Sequence, residues 1–320
     1  MEQGKFVISL DFELHWGVAE LWNIKDRIDY FTTTRRSIPV VLNLFEQYKI
    51  HATWATVGFL FAKNKKQLLE FCPDLRPNYE SRKLSYYSLI DNNEIGNDEQ
   101  DDPFHYAHFL IEQIVKTPGQ ELGTHTFAHY YCNEPGQNHL QFDADLKAAQ
   151  SLSKENFGIE LQSLVFPRNQ FNTEYIDIAR KNGIKVARSN PDVWFWRKQS
   201  KFTPLARAAD ALFSISTPLA FKEIRTKDNE VLLLPASRFL RAYSEKEKMV
   251  HNIKLSRIKK EMTYAAQNGL SYHLWWHPHN FGYFLEKNLI FLEQILKHYQ
   301  MLNEKFGFES NSMIEMYKTT

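Results

Sequence analysis

The sequence has few of the features that mark secreted, membrane-spanning or nucleic-acid-binding proteins. Its 320 residues include only two cysteines, Cys72 and Cys132, too few for a secreted disulfide framework and expected to be reduced thiols. The formal net charge of +1 gives no electrostatic bias toward nucleic acid or anionic lipid. No apolar stretch approaches the roughly 18 residues that span a bilayer, and the apolar run at residues 6–10 predicts a strand rather than a signal peptide. We therefore expect a cytoplasmic protein without a nucleic-acid partner or an integral membrane segment.

The chain also lacks internal repeats, low-complexity tracts and Gly/Ser linkers, so we predict a single domain over residues 1–320. Short strand-like runs alternate with longer helical runs, a pattern that favours an α/β fold with a mainly parallel sheet. The count of about seven strands fits a (β/α) barrel that is open or incomplete. The region at about residues 73–103 has weak periodicity and ends in an acidic stretch, which predicts an exposed insertion.

The boundaries follow from apolar periodicity and from glycine and proline signals. The predicted strands are Phe6–Leu10, His51–Val57, Gln120–Thr124, Leu161–Phe166, Ile184–Ala187, Val231–Leu234 and Leu270–Trp276. The predicted helices are Thr34–Tyr48, a segment from about Leu60, Phe104–Val115, Phe142–Phe157, Asn172–Asn182, His251–Asn268 and about Leu285–Lys305.

Polar side chains cluster after four of these strands, where chemistry collects in barrels of this kind. The clusters are Asp11 with Glu13, His125 with His129, Arg168 with Asn169, and His277 with His279. The four-residue spacing of His125 and His129 predicts a helical turn from which both imidazoles reach one cation. Two histidines and one carboxylate form an open ligand set for zinc and related ions. Cys132 is a weaker candidate ligand, because its neighbours suit a hard, water-activating site.

The remaining groups suit proton transfer. One acid of the Asp11–Glu13 pair would bind the metal while the other accepts a proton from water, and the sequence leaves open which does which. Arg168 is the candidate for keeping that base ionised and oriented. His277 would donate a proton to a departing amine, since imidazole titrates near neutrality. His279 could take this role instead, or hydrogen-bond to the backbone.

These motifs together resemble those of the polysaccharide deacetylase (NodB-type) family. The matching segments are Ser9–Glu13, Ala52–Gly58, His125–His129, Phe166–Arg168 and Leu274–Pro278. The resemblance implies a distorted, NodB-like (β/α) barrel and a divalent metal, usually zinc, that assists removal of N- or O-acyl groups from sugars.

The same resemblance assigns roles to individual residues. It implies that His125 and His129 are metal ligands, that Asp11 is the base steadied by Arg168, and that His277 is the acid. The first motif departs from the family's adjacent aspartates, because Phe12 separates Asp11 from the second acid. Glu13 is therefore assigned to the metal, with the roles of the two acids exchangeable. The third motif reads Phe-Pro-Arg-Asn rather than the common Arg-x-Pro order.

Aromatic and cationic residues are predicted near the mouth of the site. Trp16, Trp194, Trp196, Trp275, Trp276 and Phe281 are candidates for stacking on a sugar or enclosing an acyl group. Of these, Trp16 and Trp276 are assigned to substrate binding. Arg238 and Arg241 follow a predicted strand and would suit a phosphate or carboxylate on the substrate.

The sequence thus predicts a cytosolic metal-dependent deacetylase acting on an N-acetylated sugar. Because no export signal is recognised, the expected partner is a nucleotide- or lipid-linked sugar, a precursor of a surface polysaccharide. One alternative is a hydrolase of non-peptide C–N bonds in small amides or imides. A second alternative is an inactive carbohydrate-binding barrel, motivated by the altered acid pair.

Overall fold

The fold is described by a computed structural model over residues 3–191, 219–222 and 229–319. Two of the aromatic residues predicted at the mouth, Trp194 and Trp196, lie outside these ranges. No helix within them is both long enough and apolar enough to cross a membrane.

Parallel strands form a nine-stranded sheet in the described part of the chain. The strand order is β6-β5-β4-β3-β2-β1-β8-β7, and β9 also pairs with β1. Every strand pairing is parallel. The strands are β1 (Lys5–Phe12), β2 (Ala52–Thr56), β3 (Gln120–Thr124), β4 (Ser163–Leu164), β5 (Val186–Ser189), β6 (Leu232–Pro235), β7 (Arg238–Phe239), β8 (Tyr272–Trp276) and β9 (Glu309–Asn311). The two strands beyond the predicted seven, β7 and β9, are too short to show periodicity in the sequence.

Helices cover the sheet. Because its strands are parallel, their carboxyl ends all lie at one rim. The helices are α1 (Ile28–Gln47), α2 (Lys65–Phe71), α3 (Tyr87–Asp91), α4 (His108–Lys116), α5 (His139–Phe157), α6 (Thr173–Lys181), α7 (His251–Gln267), α8 (Leu285–Phe306) and α9 (Met313–Thr319). The helix predicted from about Leu60 begins instead at Lys65, because residues Gly58–Phe61 form a 3₁₀ turn. Helix α1 begins six residues before the predicted Thr34.

Strand β1 explains how one sheet serves both packing and chemistry. Alternate side chains point to opposite faces of a strand, so Ile8, Leu10 and Phe12 pack in the large core cluster. Val7 belongs instead to a smaller cluster inside the barrel. Asp11 lies two strand repeats beyond Val7 and therefore shares its inward face. The polar end of β1 thus opens into the barrel rather than toward the helices.

The sheet curls, and its two edge strands, β6 and β7, are joined by a two-residue seam. Only Ala236 and Ser237 separate β6 from β7, although these strands are at opposite ends of the strand order. The Ala236 amide donates to Ser189 of β5 over 2.9 Å, and the Ser237 amide donates to His273 of β8 over 2.8 Å. Adjacent amides therefore bind opposite sides of the sheet. The predicted fold class, a single-domain α/β protein with a distorted (β/α) barrel, is confirmed, and the sheet is a curled half-barrel.

The region at residues 73–103 is only partly the exposed insertion that was predicted. Its acids Glu94 and Asp101 are exposed, but Tyr86, Tyr87 and Ile90 are buried in the large core cluster. The prediction failed for these residues because α3, the helix that carries Tyr87 and Ile90, has 5 residues and is too short to establish a helical period. They cover the rim of the barrel near the histidine motif.

Candidate active site

The segment that carries the two motif histidines is a loop, which corrects the predicted helical turn. It directly follows β3, and Thr126 and His129 have left-handed φ values of 65° and 54°. The buried carboxylate of Asp145 on α5 accepts hydrogen bonds from the amides of Phe127 and Ala128, at 2.6 and 3.0 Å. The backbone amides therefore bind a side chain rather than a helical carbonyl. The loop turns sharply enough to bring both imidazoles to one side.

Glu13, His125 and His129 converge on one point. Their ligand atoms all lie within 4.8 Å of one another, and all three residues are buried. The Glu13 Oε2 atom is 3.4 Å from His125 Nε2 and 3.1 Å from His129 Nε2. Because β1 and β3 flank β2 in the sheet, their ends deliver the carboxylate and the histidine loop to neighbouring positions. The grouping expected from the sequence is therefore present.

The second nitrogen of each imidazole fixes its orientation. His125 Nδ1 lies 2.8 Å from the Val165 carbonyl, and His129 Nδ1 lies 3.1 Å from the Tyr131 hydroxyl. A proton on each Nδ1 leaves each Nε2 lone pair directed at Glu13. Burial lowers the pKa of His129, which favours the neutral form that binds metals.

The charge state of Glu13 also suits a cation. Burial raises its pKa, but His277, His125 and His129 together outweigh burial and hold the pKa well below the ordinary value. An ionised carboxylate and two imidazoles with converging ligand atoms match the open two-histidine, one-carboxylate ligand set. The residues present therefore fit a divalent metal.

Gly17 allows the Glu13 carboxyl to occupy its position. A Cβ atom at residue 17 would lie 1.9 Å from Glu13 Cδ and 2.1 Å from Glu13 Oε1. Such distances are far inside van der Waals contact, so only glycine fits here without displacing the carboxylate. The 3₁₀ turn at Leu14–Gly17 folds back onto the acid that precedes it.

Asp11 is held by Arg188, not by the predicted Arg168. Two parallel hydrogen bonds of 2.6 and 2.7 Å join the Arg188 guanidinium to the two carboxylate oxygens of Asp11. Burial raises the pKa of Asp11, but Arg188 and the nearby His125 and His277 lower it by more. Asp11 is therefore a buried carboxylate that stays ionised.

Arg168 binds other acids. Its guanidinium donates to Glu20 over 2.6 Å and to Glu134 over 3.2 Å, and it lies over the Tyr131 ring at 4.2 Å. The prediction that Arg168 steadies Asp11 is wrong. Its left-handed backbone (φ 54°) and its ion pair with Glu20 direct the side chain along the rim.

The sequence contained a signal for Arg188 that the strand prediction missed. The predicted strand ended at Ala187, whereas β5 continues through Arg188 and Ser189. An arginine within a buried parallel strand must find a carboxylate inside the protein, because an unpaired buried charge is costly. Arg188 is 1 % exposed. Its side chain also contacts Ser9 Oγ at 3.2 Å, and Ser9 Oγ lies 2.8 Å from His273 Nε2.

His277 and His279 both approach the acids from the end of β8. His277 Nε2 is 3.6 Å from Asp11 Oδ2 and 3.8 Å from Glu13 Oε1. His279 Nδ1 is 3.5 Å from Glu13 Oε1. The His277 side chain is 24 % exposed, whereas that of His279 is 6 % exposed. Burial lowers the pKa of His279 to about 4. Of the two, His277 is the one that an incoming substrate can reach.

Comparison with known proteins was made on sequence and on structure. The model of the family described as polysaccharide deacetylase matches residues 28–187, which is 160 of the 320 residues. The chain belongs to the polysaccharide deacetylase family. The match contains the His125–His129 motif, while Asp11, Glu13 and His277 lie outside it. A search of curated protein sequences finds no match.

Solved structures share the fold of this family member at low identity. One, described as a polysaccharide deacetylase from Mycobacterium smegmatis, is 11% identical with a TM-score of 0.61 and covers 99% of this chain and 91% of its own. The allantoinase PuuE is 10% identical with a TM-score of 0.56, covering 98% and 90%. The 4-alpha-glucanotransferase from Thermococcus litoralis is 12% identical with a TM-score of 0.56, covering 100% and 41%. At these identities the likeness shows the fold alone.

The two tryptophans predicted to bind substrate in this family member lie in the core. Trp16 and Trp276 are both 0% exposed. The Trp16 indole donates to the His105 carbonyl, and Trp276 stacks on the buried Phe281. Side-chain alternation along β8 turns Trp276 toward the helices and Trp275 inward with His277. Trp275 lies over the Arg188 guanidinium at 4.1 Å and is the aromatic residue beside the acids.

The two predicted substrate-binding arginines have carboxylate partners within the chain. Arg238 forms two hydrogen bonds with the buried Glu261, of 2.7 and 2.6 Å. It is therefore directed at α7 and not at the site, which corrects that prediction. Arg241 pairs with Glu247 at 2.9 Å on the surface. Its contact with a substrate stays a prediction.

Proposed function

We propose that this chain is a zinc-dependent deacetylase that removes the acetyl group from an N-acetylated sugar. One observation carries the proposal: strand ends far apart in the sequence place three candidate ligands within 4.8 Å of one another, beside the ionised Asp11. Family membership supports a deacetylase activity. The metal, the sugar and the roles of individual residues form the proposed part.

The proposed metal ligands are Glu13, His125 and His129. A divalent cation in such a site lowers the pKa of a water molecule and polarises the acyl carbonyl. Asp11, kept ionised and oriented by two hydrogen bonds from Arg188, accepts the proton of the attacking water. His277 stands on the other side of the acids and donates a proton to the departing amine. Trp275 and Arg188 limit how far Asp11 can turn away from the reacting group.

Acetate release tests the proposal. Purified protein is incubated with N-acetylhexosamine derivatives after removal of metal by a chelator and after addition of Zn²⁺. We expect release only with the metal, and a loss of about 100-fold or more in kcat when Asp11→Asn removes the base. Turnover that persists in the metal-free protein would overturn the zinc dependence. Lys297→Gln, on the exposed face of α8, serves as the control that keeps full activity.

The same assay, extended to a cyclic imide and to a measurement of sugar binding, separates the rival functions. A hydrolase of small amides would open the ring of a cyclic imide and leave the N-acetyl sugars intact. A carbohydrate-binding barrel would bind sugar without turnover, and His125→Ala would leave that binding unchanged. A surface-polysaccharide precursor as the physiological substrate, and a cytoplasmic location, stay predictions.

A further inference from the structure

The two oxygens of the Glu13 carboxylate face different histidines. Oε2 lies against His125 and His129, at 3.4 and 3.1 Å. Oε1 faces the other side, where His279 Nδ1 is 3.5 Å away and His277 Nε2 is 3.8 Å away. One carboxylate therefore connects the proposed ligand pair with the histidines that follow β8.

His279 occupies a fixed position in an aromatic shell. The rings of Trp22, Tyr30 and Phe31 lie 6.2 to 6.4 Å from the His279 ring, centroid to centroid. The His277 ring stacks on it at 5.0 Å with an interplanar angle of 19°. Pro278 stiffens the connection, and the segment Pro278–Gly282 is a 3₁₀ helix. The imidazole cannot turn far without displacing these rings.

The Nδ1 atom of His279 is buried and has no hydrogen-bond partner among the residues that the structure describes. Such a group normally finds a partner, because an unsatisfied buried polar atom costs about 1–3 kcal/mol. The nearby acceptor is Glu13 Oε1, an anionic oxygen that can only accept a proton. With the hydrogen on Nδ1, a shift of a few tenths of an ångström completes the bond.

We propose that His279 is a positioning residue, whose Nδ1–H binds Glu13 Oε1 and thereby turns Glu13 Oε2 toward His125 and His129. Outer partners of this kind orient a ligand and tune its basicity. His279 is not itself in the group of converging ligand atoms found among the described residues. The inference rests on the proposed metal role of Glu13 and gives His279 a task distinct from that of His277.

Two variants of matched shape test this role. Asn carries its amide nitrogen the same number of bonds from the backbone as Nδ1, whereas Leu has the same branching and no donor. We expect His279→Leu to weaken Zn²⁺ binding by about 10–100-fold and His279→Asn to stay within about threefold of the parent. The dissociation constants are measured by competition with a chelating dye, together with the melting temperature of each metal-free variant. Lys297→Gln, on the exposed face of α8, should bind Zn²⁺ like the parent.

A second measurement reads the position of the proton in the parent protein itself. Long-range ¹⁵N–¹H correlation spectra of the parent's histidines report which ring nitrogen carries the proton, and the spectrum of His279→Asn identifies the signal. We expect the Nδ1–H form for His279. An Nε2–H form, or equal Zn²⁺ affinity of His279→Leu and the parent, would overturn the proposal. A parent protein that binds no Zn²⁺ would instead overturn the proposed metal function itself.

Discussion

Arg188 controls the charge of Asp11, and its removal should be visible in the pH dependence of the reaction. Arg188→Met leaves a buried carboxylate without its partner, which should cost about 3–5 kcal/mol of unfolding free energy. The pKa of Asp11, which Arg188 helps to lower, should rise, so the acidic limb of the kcat/KM profile should move to higher pH. Arg168→Met is the matched control, since Arg168 binds Glu20 and Glu134 instead. A shifted limb in the Arg168 variant alone would contradict this assignment.

Zn²⁺ affinity should be as sensitive to substitution of Gly17 as to substitution of a ligand, although Gly17 has no side chain. Gly17→Ala places a methyl group in the space of the Glu13 carboxyl, and we expect Zn²⁺ affinity to fall about tenfold or more. Gly158→Ala is the comparison, because its added Cβ meets nothing within 4 Å but its φ of 67° is left-handed. That variant should lose about 1 kcal/mol of stability and keep its Zn²⁺ affinity. Equal affinities in both variants would show that Glu13 adapts freely.

Residue type and spacing were enough to predict an acid of the Asp11–Glu13 pair beside His125 and His129, because each stands just beyond a strand that ends at the same rim. The choice of Glu13 came from the family resemblance. Type and spacing were not enough for Arg168, because a position next to a strand end does not fix where a long side chain points. Two carboxylates along the rim decided that direction. Trp276 was predictable: alternation from His277 along β8 puts Trp275 inside and Trp276 outside.

Among the elements, the loop at His125–His129 shows why the right grouping can follow from a wrong conformation. The four-residue spacing suits a helical turn, yet the segment is a loop with two left-handed residues. Asp145, on another element, supplies the hydrogen bonds that make this conformation possible. A contact between residues 18 positions apart leaves no mark in local periodicity.

The short helix α9 should make stability depend on pH. Its Glu315 accepts a hydrogen bond of 2.8 Å from His51, which follows α1, and this bond raises the pKa of His51 above 6.5 while partial burial lowers it. A raised folded-state pKa means that the stabilisation is complete below pH 6.5 and is lost as the pH rises through the folded value. Exposed pairs of this kind contribute about 0.2–1 kcal/mol.

The variant that tests this is His51→Gln, which keeps a polar side chain and cannot become charged. The melting temperatures of parent and variant are compared at about pH 5.5 and about pH 8.5, on either side of the histidine range. The parent should exceed the variant at the lower pH and match it at the higher one. A difference that is independent of pH would mean that the hydrogen bond, and not the charge, holds α9.

For the whole molecule, metal binding and folding should be coupled. The proposed ligands come from separate strand ends and meet only in the folded chain, so Zn²⁺ stabilises the native state by mass action. At about 100 times the dissociation constant the gain is about 2.7 kcal/mol. We expect a higher melting temperature with Zn²⁺ and no such shift in His129→Ala, measured with the metal-free proteins as references. A shift of equal size in the variant would place the ion elsewhere.

The alternation of strands and helices was sufficient to predict the half-barrel, since each buried parallel strand gives a strong local signal. The short strands β7 and β9 gave none, because their hydrogen bonds are set by partners distant in the sequence. The packing of Tyr86 and Tyr87 at the rim was missed because α3, with 5 residues, is too short to show a helical period.

The seam at Ala236 and Ser237 holds the two sides of the sheet together. Its two hydrogen bonds are made by covalently joined residues, so β5 and β8, which lie beside the two edge strands, cannot separate while both bonds persist. Arg188 lies on β5, its partner Ser9 lies on β1, and Ser9 Oγ in turn contacts His273 of β8. If these strands separated, Arg188 would move away from Asp11. The Asp11 carboxylate would then lose the positive charge that lowers its pKa. The seam at Ala236 and Ser237 is thus a condition for keeping Asp11 ionised in its proposed role.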